Sequence, residues 1–226
     1  MPQTRSLLHA YLQYILPETL RMLSMEVASQ PKLTIDEFFE AISGADERYE
    51  LINGVAYAMA GAKEGHNVIC SNVLVAVAPD GKKMGCRTTS SDTAVQTGPD
   101  TVRYPDVVVD CGPPDPSAKM ASRPTVIVEV TSPGTSFVDY GDKLREHQRL
   151  ESVDTVMQIE SEFVLVKVHK RQSDGTWTDE TIEDFGVAIP IPSIGASITL
   201  DEVYDTLDLR PRPRLMVVTN NHTPKV

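Results

Sequence analysis

Thr125-Val126-Ile127-Val128-Glu129-Val130 is a strand-length run in which one carboxylate interrupts a stretch otherwise apolar enough to be buried on both faces. A carboxylate there is expensive to desolvate unless a cation meets it, whether a metal ion, a lysine or an arginine. Upstream, a second short strand, Val107-Val108-Val109, is reached through Tyr104-Pro105-Asp106, which places another acid at its edge. Downstream, Lys143 lies in a segment patterned as an amphipathic helix. Two acids on neighbouring buried strands and one lysine point to a cation-binding catalytic site.

The flanking sequence supplies the rest of an α/β fold. Thr34-Ile35-Asp36-Glu37 reads as a capping box opening a short helix through Ile42. Residues 49–52 and 55–59 flank Asn53-Gly54, the dipeptide that supplies the positive φ of a tight hairpin turn. Residues 66–77 carry Ile69, Val73, Leu74 and Val77 at helical spacing, and Pro79-Asp80-Gly81 is expected to end that helix. Residues 87–97 alternate weakly, as one strand would. Four prolines and a glycine make 111–124 a loop, and Ser132-Pro133-Gly134 ends the Glu129 strand. Ser136, with Asp139 three residues on, caps a helix running to about Glu151. Strands are expected at 155–159, 163–169 and 177–182, the last two joined by the turn Ser173-Asp174-Gly175. Early helices and hairpin, a central sheet, one crossover helix and a late meander indicate α/β with a mixed sheet.

Composition narrows the class. The chain has 226 residues, 41% hydrophobic, enough for one globular domain with a sizeable core. Residues 1–32 read as an N-terminal helical extension broken near Pro17, 33–209 as the domain, and 210–226 as a flexible proline-rich tail. Met22 or Met25 is an alternative start. No apolar stretch approaches the ~18 residues of a membrane span, and the N-terminus lacks the layout of a signal peptide. Cys70, Cys86 and Cys111, without CxxC spacing, read as reduced thiols of a cytoplasmic protein. A net charge of −11 argues against a broad, non-specific grip on nucleic acid, though not against a local basic groove. No glycine-rich phosphate loop is present, so a nucleotide cofactor is unsupported, and Gly-x-Ser-x-Gly is absent as well.

Taken in order, Tyr49-Glu50-Leu51-Ile52-Asn53-Gly54, His66, Arg103-Tyr104-Pro105-Asp106-Val107-Val108-Val109, and Val128-Glu129-Val130-Thr131-Ser132-Pro133-Gly134-Thr135 through Asp139 and Lys143 resemble the Uma-two restriction-endonuclease family of the PD-(D/E)XK nuclease superfamily. The resemblance runs from about Leu33 to Leu207. It implies a restriction-endonuclease-like fold, a mixed central β-sheet flanked by helices, and metal-dependent cleavage of DNA. By the same resemblance, Asp106, Glu129 and the Val130 backbone carbonyl would hold Mg²⁺, with Mn²⁺ as a substitute, and hard oxygen ligands suit such ions. Lys143 would assist the attacking water or stabilise the transition state, with Glu50 and His66 as accessory residues. The superfamily's usual lysine lies two residues after the second acid, where this chain has Thr131. In this family the lysine moves to the following helix, a place Lys143 fits. At ~100° per residue it projects between Tyr140 and His147, on the sheet-facing half. The family often has tyrosine at the position of His147, a departure that bears on local packing. Cutting both strands of a duplex needs two active sites, which points to a homodimer.

Each residue also has a plainer reading. Glu129 could form a structural ion pair with Arg103 or Lys143. Asp106 could serve turn chemistry after Pro105. Lys143 could pair with Asp139 on the helix surface. Glu50 could be an exposed strand acid, and His66 a helix-capping histidine. Two rivals to cleavage follow: a nuclease-fold protein that binds DNA or a protein partner without cutting, and a structural dimer whose acids are only paired.

Overall fold

The structure, a computed structural model, describes residues 32–131 and 137–210, the side chains of 137–140 excepted. The expected N-terminal extension, the tail beyond Arg210 and the Ser136–Asp139 cap lie outside the described residues.

Among the described residues, three sheets and four α-helices form in chain order: α1 (Ile35–Ala41), β1 (Tyr49–Ile52), β2 (Val55–Ala58), α2 (Glu64–Lys83), β3 (Arg87–Ser90), β4 (Val95–Gly98), β5 (Thr101–Arg103), β6 (Val107–Asp110), β7 (Pro124–Thr131), α3 (Phe137–Arg149), β8 (Thr155–Glu160), β9 (Val166–Arg171), β10 (Trp177–Ile182), β11 (Ala188–Ile191), β12 (Ala196–Thr199) and α4 (Leu200–Val203). The main sheet has the order β10-β9-β8-β7-β6-β3, and only β7 and β8 run parallel within it. The helix α3 is the crossover that a parallel pair requires. A second sheet runs β2-β1-β5-β4, and β11 and β12 pair by themselves. The fold is therefore α/β with a mixed central sheet.

Burial follows strand parity. All eight residues of β7 are buried. Val126, Val128 and Val130 pack with Ile69, Val73 and Val77 of α2 on one face. Ile127 packs with Val108 and Val156 on the other, where Leu144 of α3 and Leu150 just past its end cover it. Glu129 shares the parity of Ile127 and so projects towards α3. A separate cluster of Phe38, Phe39, Tyr49, Leu51 and Val102 fixes α1 to the second sheet.

The capping box forms as expected, Thr34 N–H donating to Glu37 at 2.8 Å and Glu37 N–H to Thr34 Oγ1 at 3.3 Å. The Asn53-Gly54 turn takes φ of 51° and 83°.

Four expectations are corrected. Helix α2 does not stop at Pro79-Asp80-Gly81 but runs to Lys83 with Pro79 inside it. Gly81 packs 3.6 Å from Val109 where a Cβ would stand, and the left-handed Gly85 (φ 78°) turns the chain just past the helix. Residues 87–97 form two strands in different sheets rather than one. The pair β11–β12 and α4 were not foreseen. Finally, Cys86 and Cys111 are not free thiols: they form a disulfide, and only Cys70 is free. The pairing of Arg87 with Asp110 in β3–β6 brings the two cysteines opposite each other one step further on. That register is invisible in the spacing of the cysteines.

Candidate active site at one end of the central sheet

Strands β6 and β7 are antiparallel with Val107 opposite Val128 and Val108 opposite Ile127. One step further, Asp106 stands opposite Glu129. The start of β6 and the end of β7 thus bring both acids singled out in the sequence to one end of the sheet. Pro105 just before Asp106 has no N–H to extend the ladder. Instead the Val130 N–H donates to Asp106 Oδ2 at 2.7 Å. A strand residue directs its N–H and C=O to the same side, so the Val130 carbonyl faces the same ladder end.

Each acid meets a histidine from a different helix layer. His66, in the first turn of α2, places Nε2 3.2 Å from Asp106 Oδ2. Its Nδ1 lies 3.5 Å from Cys70 Sγ, one helical turn on. The Asp106 carboxylate and then the Cys70 contact raise the His66 imidazole from 6.5 to about 10, against the opposing effect of burial. Burial pushes the Cys70 thiol up, and the His66 contact only partly offsets it. His66 is thus held by Asp106, and the N-cap position of the helix is Lys63, not His66.

On the other face, His147 of α3 is fully buried with Nε2 2.9 Å from Glu129 Oε1. Nδ1 is buried without a hydrogen-bond partner among the described residues. His147 therefore contacts a candidate metal ligand directly, and its difference from the family pattern is more than a matter of packing. The signal was available: His147 is four residues from Lys143 on the same helix face.

Glu129 pairs neither with Arg103 nor with Lys143, as the plainer reading had it; both cations meet Glu50. Glu50, on β1, accepts from Lys143 Nζ and Arg103 Nη1, each at 3.0 Å. It also accepts the Tyr104 N–H at 3.3 Å, two residues before Asp106. Arg103, 2% exposed, clamps Glu146 of α3 with Nε and Nη2, both at 2.8 Å. Burial opposes ionisation of Glu146, but the Arg103 guanidinium overcomes it and holds the carboxyl below its ordinary range. The order Lys143–Glu50–Arg103–Glu146 alternates charge, so each buried ion is paired. Glu50 is a buried bracket, not an exposed strand acid, and Lys143 points inward from α3 towards it.

Among the described residues, both contacts of Asp106 fall on Oδ2, and His147 takes Oε1 of Glu129. Each carboxylate keeps its second oxygen out of these contacts, and the side chains remain 16% and 12% exposed. Oxygen donors from Asp106, Glu129 and the Val130 carbonyl fit a hard divalent cation that retains several waters. The position two residues after Glu129 cannot supply a cationic group: Thr131 is buried and donates its hydroxyl to the Ile159 carbonyl at 3.2 Å. Lys143 Nζ from α3 meets Glu50, which also accepts the Tyr104 N–H two residues before Asp106.

No helix of the described residues is long and apolar enough to cross a membrane. An uncharacterized protein of Synechocystis sp. is 28% identical over 179 residues, which span 77% of this chain and 92% of that protein. The crystal structure of a putative nuclease of the DUF820 group from Anabaena variabilis shares the fold with a TM-score of 0.61 at 18% identity, covering 76% of this chain and 97% of that one. The family model Uma2, described as putative restriction endonuclease, matches residues 35–201, which span both β6–β7 acids and Lys143. On that match, the chain belongs to the Uma2 family of putative restriction endonucleases.

Proposed function

We propose that this protein is a metal-dependent DNA endonuclease of the PD-(D/E)XK type, hydrolysing phosphodiester bonds with Mg²⁺, or Mn²⁺ in its place. The observation that carries the reading is the β6–β7 register that brings Asp106 and Glu129 to one end of the sheet, where the Val130 N–H donates to Asp106 and Lys143 meets Glu50, the acceptor of the Tyr104 N–H two residues before Asp106.

Asp106, Glu129 and the Val130 carbonyl would hold the cation. When bound, such an ion acidifies water and neutralises charge developing at phosphorus. The protein residues do the remainder. The Asp106–Val130 hydrogen bond and the Glu129–His147 hydrogen bond fix the two carboxylates before substrate arrives, so little reorganisation is needed. Glu50 holds the Lys143 ammonium where it offsets negative charge on the phosphate as water attacks. One P–O bond forms from water, one breaks to the leaving sugar oxygen, and that oxygen takes up a proton. Arg103 and Glu146 tie β5 to α3, so that the lysine and the acids keep their relative places. Two such subunits, as a homodimer in the cytoplasm, would serve the two strands of a duplex.

The net charge of −11 and the buried Thr131 favour a second reading, a nuclease-fold protein that binds DNA or a protein partner without cutting. Supercoiled plasmid incubated with purified protein and Mg²⁺ or Mn²⁺, beside Asp106→Ala, distinguishes them. Metal-dependent nicking by wild type alone supports the endonuclease. Retained binding with no cutting under either metal supports the second reading.

A further inference from the structure

The cluster at the start of α2 contains more than the proposed nuclease site uses. His66 and Cys70 lie one turn apart on the same helix face, and that face meets Asp106 at the start of β6. The ligand atoms of the three all lie within 4.8 Å of one another, and among the described residues they form the group of three His, Cys, Asp or Glu side chains close enough to share an ion. We propose that His66, Cys70 and Asp106 form a site for a thiophilic divalent cation of the Zn²⁺ class, which takes Asp106 as a ligand in place of the hard ion of cleavage.

The donor set decides the class. A thiolate and an imidazole favour Zn²⁺ over Mg²⁺, which prefers oxygen and gives up its water reluctantly. Three protein donors plus one water make up the four-coordinate arrangement of an open zinc site. The two ring nitrogens of His66 face Asp106 and Cys70, and a cation would displace protons from these groups as it binds. Access is available from solvent, because His66 is 15% exposed and Asp106 16%. Both helix ligands are anchored by the core beneath them: Ile69 and Val73 of the same helix are fully buried. Occupation by zinc would withdraw Asp106 from the oxygen site beside Glu129. That consequence rests on the role proposed for Asp106 above, whereas binding itself does not.

Cobalt(II) is the probe, because a thiolate ligand gives a charge-transfer band in the near ultraviolet. The protein has three cysteines, and two are tied in the Cys86–Cys111 disulfide. With no reductant added, any thiolate band must come from Cys70. The experiment is a Co²⁺ titration of wild type, Cys70→Ser, Cys70→Ala, His66→Gln and Asp106→Asn, each first checked for a wild-type melting transition. The expected result is a thiolate band in wild type that Zn²⁺ displaces and excess Mg²⁺ does not. Both Cys70 variants should lose it, and His66→Gln and Asp106→Asn should weaken Co²⁺ binding by about tenfold or more. No band in wild type, or a band that survives in both Cys70 variants, overturns the site. Unchanged affinity in Asp106→Asn overturns the sharing of Asp106. None of these readouts requires cleavage, so failure of the nuclease reading would show only in the plasmid assay.

Discussion

The two ends of β6 each carry an aspartate, and the two are solved differently. Asp110, at the far end, is saturated by fixed donors. It accepts the backbone N–H groups of Gly112, Ser122 and Arg123 at 2.9, 3.1 and 2.8 Å, and Arg87 Nη2 at 2.7 Å. The Cys86–Cys111 disulfide lies beside it. Asp106, at the near end, receives one backbone N–H, and its other contact is the titratable imidazole of His66. An acid enclosed by main-chain donors has little left with which to bind anything else. One met by a single amide and a histidine can exchange its partner for a cation. The first end holds the sheet together, and the second is the one proposed for chemistry.

The largest effect expected from this difference is on catalysis. Lys143→Met keeps much of the apolar stem while removing the ammonium that meets Glu50. Cleavage should fall by roughly a hundredfold or more, with DNA affinity changed only a few-fold, because the lost charge serves the transition state. Rates and binding measured on one preparation at fixed salt check this, and unchanged cleavage would remove Lys143 from the mechanism.

At the other end the loss should be in stability. Asp110→Ala leaves three backbone N–H groups and a guanidinium without their acceptor, and should cost about 2–4 kcal/mol of unfolding free energy. Urea unfolding reads that number directly. A change under ~0.5 kcal/mol would mean that Asp110 is dispensable and the contrast is false. Replacing Cys86 and Cys111 by serine opens a loop whose ends are 25 residues apart. By the entropy of the unfolded chain this should cost about 3 kcal/mol. Free-thiol titration of the unfolded wild type, without reductant, should find Cys70 alone. Three titrating thiols would contradict the disulfide.

The smallest effect is on acid stability. Burial tends to raise the Asp110 carboxyl, but the amides of Gly112, Ser122 and Arg123, with Arg87, overcome it and hold the carboxyl below its ordinary 3.8. A carboxyl depressed on folding contributes stability above its unfolded value, and that contribution is lost as pH falls through the folded value. Wild type should therefore lose stability below about pH 4, and Asp110→Asn should lose less over the same range. Parallel acid limbs in the two proteins would show that the ion pair with Arg87 carries no linkage.

How much of this was legible follows from which interactions are local. Asp106 and Glu129 could be read because an acid in an apolar strand is conspicuous on its own. Lys143 could be read because helix periodicity fixes a face. The hairpin and the capping box were legible for the same reason, since Asn53-Gly54 and Thr34–Glu37 act within four residues. Glu50 was not, because its burial depends on Leu51 pairing with Val102, half a hundred residues away, and on α3 closing over Arg103. The disulfide and the Asp110 cage were hidden by the β3–β6 register. Pro79 misled because the turn beyond α2 is set at Gly85, while proline inside the helix is carried by packing around Gly81.

The measurement that tests the central claim most directly is the metal-dependent cleavage rate per folded molecule for Asp106→Asn and Asp110→Asn, side by side with wild type, at a temperature where all three are folded. Asp106→Asn should lose cleavage by about a hundredfold or more while Asp110→Asn stays within a few-fold of wild type. Equal losses in the two variants, or full activity in Asp106→Asn, would contradict it.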